Sequence, residues 1–273
     1  MKVILFVNVR DEHNICEWVC HHLMIGFDGI IIFDHKSKQP IKAKVEDISR
    51  KVRVFNACHI NNDVKMTLMN YAVTLAKQMK FDWMIYIDAD EFIILNKHND
   101  VQSLLREFNN CDSVALNWLM FGTNHLVKDN DEQLILEKYT RCQSTLDKHV
   151  KTFVRPNAVK HCNNPHFYVI NDKSKYYSVN RQRVLLPYFW HTPINTNYSN
   201  TPAYVAHYVH QSEETYRKRK GLPRDDDNTK RELMTSSELH SLYNDVVNTF
   251  PRDKYAENVK TKLESLNSVD KYN

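Results

Sequence analysis

The sequence predicts an α/β fold with a mostly parallel central sheet flanked by helices. Continuous apolar runs of strand length alternate with segments of helical periodicity through roughly the first 110 residues. These runs lack a polar face, as expected of strands covered by helices on both sides. Strand, helix, strand at this rhythm requires crossover connections, which join parallel strands.

The elements follow in order. Residues 3–9 form the first apolar strand. A helix is expected over residues 14–24, where Ile15, Trp18, Val19 and Leu23 recur at helical spacing and Gly26 supplies a stop. Residues 29–33 form a second buried strand that ends at Asp34, and residues 51–55 alternate as a third. Residues 64–79 read as a helix with Met66, Met69, Val73 and Ala76 on one side, and residues 83–87 as the fourth strand. Strands are expected again at 113–119 and 150–154, then loops or short antiparallel strands over 171–199, and helices at 213–220 and 236–249. No internal repeat or low-complexity linker divides the chain, so it is expected to form one domain.

Composition narrows the chemistry. Hydrophobic residues at 42% and charged residues at 26% suit a packed core. With only 4 glycines there is no GxGxxG and no GxxxxGK[ST], so a bound phosphate would need another source of positive charge, such as a metal ion. A net charge of +4 suits an anionic ligand but falls short of the basic stripe of a nucleic-acid binder. The six cysteines include no CxxC pair, which points to reduced thiols and a cytoplasmic setting. The first apolar run stops at Asn8, too short for a membrane span or signal peptide, and no later segment reaches the length of a membrane helix, so a soluble chain is expected.

The strongest local signal is Asp88-Ala89-Asp90-Glu91-Phe92, placed directly after an apolar strand. In parallel sheets ligands gather at the carboxyl ends of the strands. Two carboxylates spaced D-x-D where the chain turns can converge on one hard divalent cation. Such a cation would bridge a diphosphate and neutralise the charge on a leaving nucleotide diphosphate. The competing reading makes Asp88 a helix cap and the other acids surface charges.

The segment DWMIYIDADEF resembles the metal-binding motif of GT-A glycosyltransferases, in particular the family-2-like and family-92-like groups. Further blocks agree in order: VNVRDEHNICEWVCHHLMIGFDGIIIFDHKS, NWLMFG, VKTFVRP, PHFY and AHYVHQSEETYRKRKG. The resemblance spans roughly residues 3 to 221. It implies a GT-A domain over 1–273, with a nucleotide-binding half at 1–110, an acceptor-side half at 111–221 and a helical extension at 222–273. The implied activity is transfer of a sugar from a nucleotide-sugar donor, a UDP-sugar, to a hydroxyl of a carbohydrate or glycoconjugate, with inversion and with Mn²⁺ or Mg²⁺. A nucleotidyltransferase acting on sugar phosphates and a non-catalytic sugar-nucleotide-binding protein are the alternatives. A membrane-free relative of Golgi enzymes would suit a bacterial, viral or otherwise cytosolic source.

The resemblance also implies roles. Asp90 is the expected direct metal ligand, with Asp88 beside it and His207 as the distant third. His166, His210 and His191 are rivals to His207. Arg10, Glu12, Asp34, Lys65 and Asn70 are expected at the donor nucleotide, with Asp11 and Ser37 as further candidates and turn formation as the competing role of Ser37. Ser212, Lys218 and Arg219 would close over the diphosphate, against the plainer reading of a solvated helix face. Trp118, Phe121 and Gly122 fall where an acceptor sugar would rest. Lys151 and Arg155 are either anion contacts or strand closures. An inverting transfer needs a carboxylate base. The acids in reach are Asp129, Asp131, Glu132, Glu137 and Asp147, with Glu91 near the metal; Glu91 and Asp147 are the catalytic candidates. Asp90→Ala is expected to abolish metal-dependent transfer or hydrolysis of a donor sugar while leaving the fold intact. Unchanged activity in a donor-hydrolysis assay would remove the metal assignment.

Overall fold

The computed structural model describes residues 1–185, 197–222 and 229–269. The strands in chain order are β1 (Val3–Val9), β2 (Gly29–Asp34), β3 (Val52–Asn56), β4 (Trp83–Tyr86), β5 (Glu91–Leu95) and β6 (Ser113–Met120). They continue with β7 (Arg141–Cys142), β8 (Val150–Val154), β9 (Val159–Asn164), β10 (Phe167–Ile170), β11 (Tyr176–Ser178), β12 (Ala203–His207) and β13 (Val246–Val247). The helices are α1 (Ile15–Met24), α2 (Lys42–Val45), α3 (Val64–Gln78), α4 (Val101–Arg106), α5 (Ile135–Lys138), α6 (Glu213–Lys220), α7 (Ser236–Ser241) and α8 (Glu257–Val269).

Nine strands join in the order β3-β2-β1-β4-β8-β6-β12-β5, with β11 added on β6. Strands β3, β2, β1 and β4 pair in parallel, and β6 pairs in parallel with β12 and β11. Only β8 and β5 run against the rest of this sheet. The α/β class and mostly parallel sheet expected from the sequence are therefore present. Strand alternation sorts the core: Val3, Leu5, Val7 and Val9 of β1 join the cluster under α1, while Ile4 and Phe6 join the cluster under α3. Parallel register brings Val9, Asp34 and Asn56 level, so the loops after β1 and β2 open on one edge.

Some elements differ from expectation. Glu91 does not simply trail a turn; it opens β5, antiparallel to β12. Residues 159–170 form the β9–β10 hairpin, which no strong alternation announces. The strand within 171–185, β11, pairs in parallel with β6 and makes an antiparallel bridge only at Tyr177–Arg183. The helix expected over 236–249 stops at Ser241. Leu242 is extended and Tyr243 takes φ 58, while the Asn244 amide donates to the carbonyls of His240 and Leu242. Gly122 packs under this turn: a Cβ there would sit 2.5 Å from Asn244 Oδ1 and 2.6 Å from the Tyr243 carbonyl.

The Glu17-Trp18 pair explains part of the opening block in physical terms. Glu17, 4% exposed, accepts the Ile135 and Leu136 N–H groups at 2.8 and 3.0 Å and so caps α5. Trp18 Nε1 donates to the Glu91 carbonyl at 2.8 Å. His21 donates to the Ile93 carbonyl at 2.9 Å, and His22 accepts from Ile93 N–H at 3.4 Å. Helix α1 thus grips β5, and α8 packs on α1, while Tyr255 in the turn before α8 bonds Leu95 through its hydroxyl. Among the described residues no helix is long and apolar enough to cross a membrane.

Burial raises the Glu17 pKa from 4.5 to about 7, against the two N–H bonds that lower it. A raised carboxyl pKa contributes stability that is complete below about 4.5 and lost as pH rises through about 7. Glu17→Gln should therefore flatten the fall in stability between pH 5 and pH 8, a difference on the order of 3 kcal/mol at most. Parallel pH–melting curves of the variant and the parent would show that the assignment is wrong.

Candidate active site

The acidic turn between β4 and β5 lies on the sheet edge where β1 and β12 also end. Together with α6 they frame a cavity of ≈ 360 Å³. Asn8, Arg10 and Glu12 enter it from β1 and the loop beyond; Asp88, Ala89 and Asp90 come from the turn. His207 and Val209 come from the end of β12, and Arg219, Lys220 and Leu222 from the end of α6, with Arg231 opposite. Asp11, between two lining residues, holds φ 55, a left-handed conformation that Asp tolerates. It also ties this loop to the next, taking the Lys38 N–H at 2.7 Å while Ser37 Oγ accepts its own N–H at 3.1 Å.

The two acids of the D-x-D face different cations. Asp88 bonds Lys65 through Oδ1 and Lys151 through Oδ2, the latter at 2.8 Å. Lys65 also donates to Asn8 at 3.0 Å and lies 4.6 Å above the Tyr86 ring. Burial would raise the Asp88 pKa, but the two ammonium groups outweigh it and hold the carboxyl well below its ordinary range. Asp90, 5% exposed, accepts from Arg219 Nη2 at 2.9 Å and stands 3.6 Å from His207 Nε2. Here too burial pushes up, and Arg219 and His207 pull the carboxyl far below the usual value. Arg219 also reaches Glu12 at 3.4 Å, and burial raises the Glu12 pKa.

The other predicted residues divide. Arg10 and Glu12 line the cavity, and Lys65 reaches its wall through Asp88. Asp34 does not line it: its oxygens accept the Ser37 and Ile41 N–H groups at 3.3 and 3.1 Å and close the loop after β2. Asn70 clamps α3 to β9, donating to the Cys162 carbonyl at 2.9 Å and accepting its N–H at 2.8 Å. Lys218 is exposed on α6; its neighbours Arg219 and Lys220 are the ones that face the cavity. Ser212 caps α6, accepting Thr215 N–H at 3.1 Å. Arg155 closes β8, donating to the Cys111 and Asn109 carbonyls at 2.9 and 3.1 Å.

Asp147 accepts from His149 Nδ1 at 2.6 Å and from its backbone N–H at 2.8 Å. The His149, His166 and His207 rings surround Trp118 at centroid distances of 5.4, 5.0 and 4.4 Å. His210 lies instead between Tyr216 and Tyr243, and His191 lies outside the described residues. Among the described residues, the group of three ligand-type side chains whose atoms converge within 4.8 Å is His13, Asp129 and Asp131, not Asp88, Asp90 and His207. Asp129 already bonds Lys138 and Thr215. Lys151, expected as an anion contact or a strand closure, meets the Asp88 carboxylate; Lys220, one of a run of four cations on α6, and Arg231, a loop cation, stand out only in the structure.

Residues 4–269 match the family model described as glycosyltransferase family 92. The chain belongs to glycosyltransferase family 92. It is 25% identical over 181 residues to a family 92 protein of Ricinus communis, covering 63% of this chain and 32% of the relative. It therefore spans about a third of the length of that curated relative. Among solved structures it is similar to Staphylococcus aureus TarS residues 1–349 in complex with UDP-GlcNAc, at 16% identity and TM-score 0.43, over 79% of this chain and 61% of the other. It is also similar to Mycobacterium tuberculosis glucosyl-3-phosphoglycerate synthase, at 12% identity and TM-score 0.34, over 58% of each chain. Likeness at this level says nothing about the ligands of the family 92 chain.

Its most consequential buried charge is Lys151, 1% exposed, which meets Asp88, Glu91 at 3.5 Å and the Pro165 carbonyl at 3.3 Å. Removing one partner of a buried pair typically costs about 3–5 kcal/mol. Lys151→Met should show that loss in urea denaturation, and Lys65→Met less, because the Lys65 side chain is 17% exposed and that of Lys151 1%. Equal losses would mean that Lys151 is not the main counter-charge.

Proposed function

We propose that this family 92 chain transfers a sugar from a nucleotide-sugar donor, a UDP-sugar, to a hydroxyl of a carbohydrate or glycoconjugate acceptor, with inversion. The observation that carries this reading is the Asp90–His207 pair, 3.6 Å apart on the wall of a cavity that also presents Arg10, Arg219, Lys220 and Arg231. Acid and imidazole on one side with several cations around them suit a divalent cation and a diphosphate together.

The residues fit Mn²⁺ or Mg²⁺ in a specific way. Asp90 Oδ1 and His207 Nε2 offer an oxygen and a nitrogen donor. Asp88 is engaged by two lysines and serves as their anchor more than as a ligand. When bound, the cation would neutralise charge on the leaving nucleoside diphosphate. Arg219, which bridges Asp90 and Glu12, keeps both acids compensated and stands ready to meet the phosphates. Lys65 and Lys151 hold the Asp88 backbone turn in place at the floor.

On the acceptor side, the Trp118 ring offers an apolar face to a sugar. The Asp147–His149 pair beside it supplies the base, the carboxylate orienting the imidazole. Glu91 is fully buried, and one of its oxygens holds Asp88 N–H at 2.9 Å, which leaves it unsuited to meet an acceptor hydroxyl.

A thermal-shift screen with uridine diphosphate, nucleoside triphosphates and Mn²⁺ tests the proposal. Stabilisation by uridine diphosphate only with Mn²⁺ is expected, about 2.7 kcal/mol at a hundredfold excess over Kd. Stabilisation by nucleoside triphosphates alone would overturn it in favour of nucleotidyl transfer.

A further inference from the structure

Glu91 is 0% exposed, yet only part of its carboxylate is used. Oε2 accepts from Asp88 N–H at 2.9 Å and lies 3.5 Å from the Lys151 ammonium. Oε1 has no hydrogen-bond partner among the described residues, and neither has His207 Nδ1. The two atoms are 4.0 Å apart. They face each other because Glu91 and His207 are direct partners in the antiparallel β5–β12 ladder. The far nitrogen of the same ring, Nε2, points at Asp90. A buried acceptor and a buried ring nitrogen without partners are expensive, and such groups persist where something else makes use of them.

We propose that Glu91 is a positioning residue that holds His207 for the divalent cation. The inference rests on the Asp90–His207 metal site proposed above. A carboxylate opposite Nδ1 keeps the proton on that nitrogen, so the Nε2 lone pair faces Asp90 and the cavity. Histidines that bind metals commonly donate their other ring N–H to a carboxylate, which fixes tautomer and orientation. A cation on Nε2 would strengthen Nδ1–H as a donor, and closure of the gap by about 1 Å would make a charge-assisted bond. The backbone is already held for this: Trp18 donates to the Glu91 carbonyl, and the His207 carbonyl accepts the Phe121 N–H at 3.0 Å. One side chain thereby sets both the Asp88 turn and the His207 ring. Glutamine cannot replace it, because an amide has a single acceptor oxygen for two N–H groups.

The test is Mn²⁺ binding without donor, followed by the electron paramagnetic resonance signal of free Mn²⁺. The proteins are the parent, Glu91→Gln, His207→Ala and the double variant, with melting curves in chelator to check folding. Glu91→Gln should weaken Mn²⁺ binding about 10- to 100-fold. In the His207→Ala background the same change should cost less than about twofold, because a residue that acts through another loses its effect when that other is gone. Losses that simply add, or a Glu91→Gln protein with parental affinity, would overturn the inference. If Glu91→Gln does not fold, Glu91→Asp keeps the charge but withdraws it from Nδ1, and the same cycle is read on that variant. A parent chain that binds no Mn²⁺ would overturn the metal site itself, a result distinguishable from failure of the Glu91 role.

Discussion

Three carboxylates within four consecutive residues, Asp88, Asp90 and Glu91, stand at one turn, with Asp90 and Glu91 shut away from water and Asp88 half-buried. Their mutual repulsion and the cost of burying them must be met locally. The structure does so by dividing them. Asp88 faces the two lysines supplied by α3 and β8, and Asp90 faces Arg219 and His207 from α6 and β12. Glu91 sits between, sharing Lys151 with Asp88 and facing His207. Isolated buried charges of this kind would be prohibitive; as a connected set they are retained because each has an opposite charge in contact.

This partition dictates much of the surrounding architecture. The turn keeps its shape only if β5 is held where it is. That task falls to α1, whose Trp18, His21 and His22 bond the backbone of β5, to Tyr255, which bonds Leu95, and to α8, which backs α1. Glu17 then ties α1 to α5. Residues that look like a donor-binding block in sequence are thus in large part the clamp on the acidic strand. Asp34 and Asn70 behave likewise, closing a loop and joining α3 to β9.

A division of labour for chemistry follows. The Asp90 side, with His207 and a ring of cations, opens on the cavity. The Asp88 side is a charge-compensated floor. Trp118 stands between the His207 ring, which it meets edge-on, and the ring of the Asp147–His149 pair, which is tilted against it. In this arrangement Arg219 is the counter-ion of Asp90.

The sequence by itself determined the α/β class, the first four strands and their order along the chain, because apolar periodicity and crossover rhythm are local signals that burial imposes directly. It also determined that the acidic turn follows a buried strand, and the family resemblance put Arg10, Glu12 and His207 near it. Only the tertiary structure decided how the acids are partnered. Nothing in D-x-D spacing distinguishes convergence on one point from two acids facing opposite cations, since the choice lies with Lys65, Lys151 and Arg219, which are 23, 63 and 129 residues away. Nor could periodicity separate Lys218 from Arg219 on a helix where every neighbour is charged: which of them reaches the cavity depends on the angle at which Ser212 and Asp129 anchor α6. The antiparallel β5 was likewise set by a distant partner, β12, and the early stop of α7 by the Asn244 turn, which the Asn124 N–H ties down from 120 residues away.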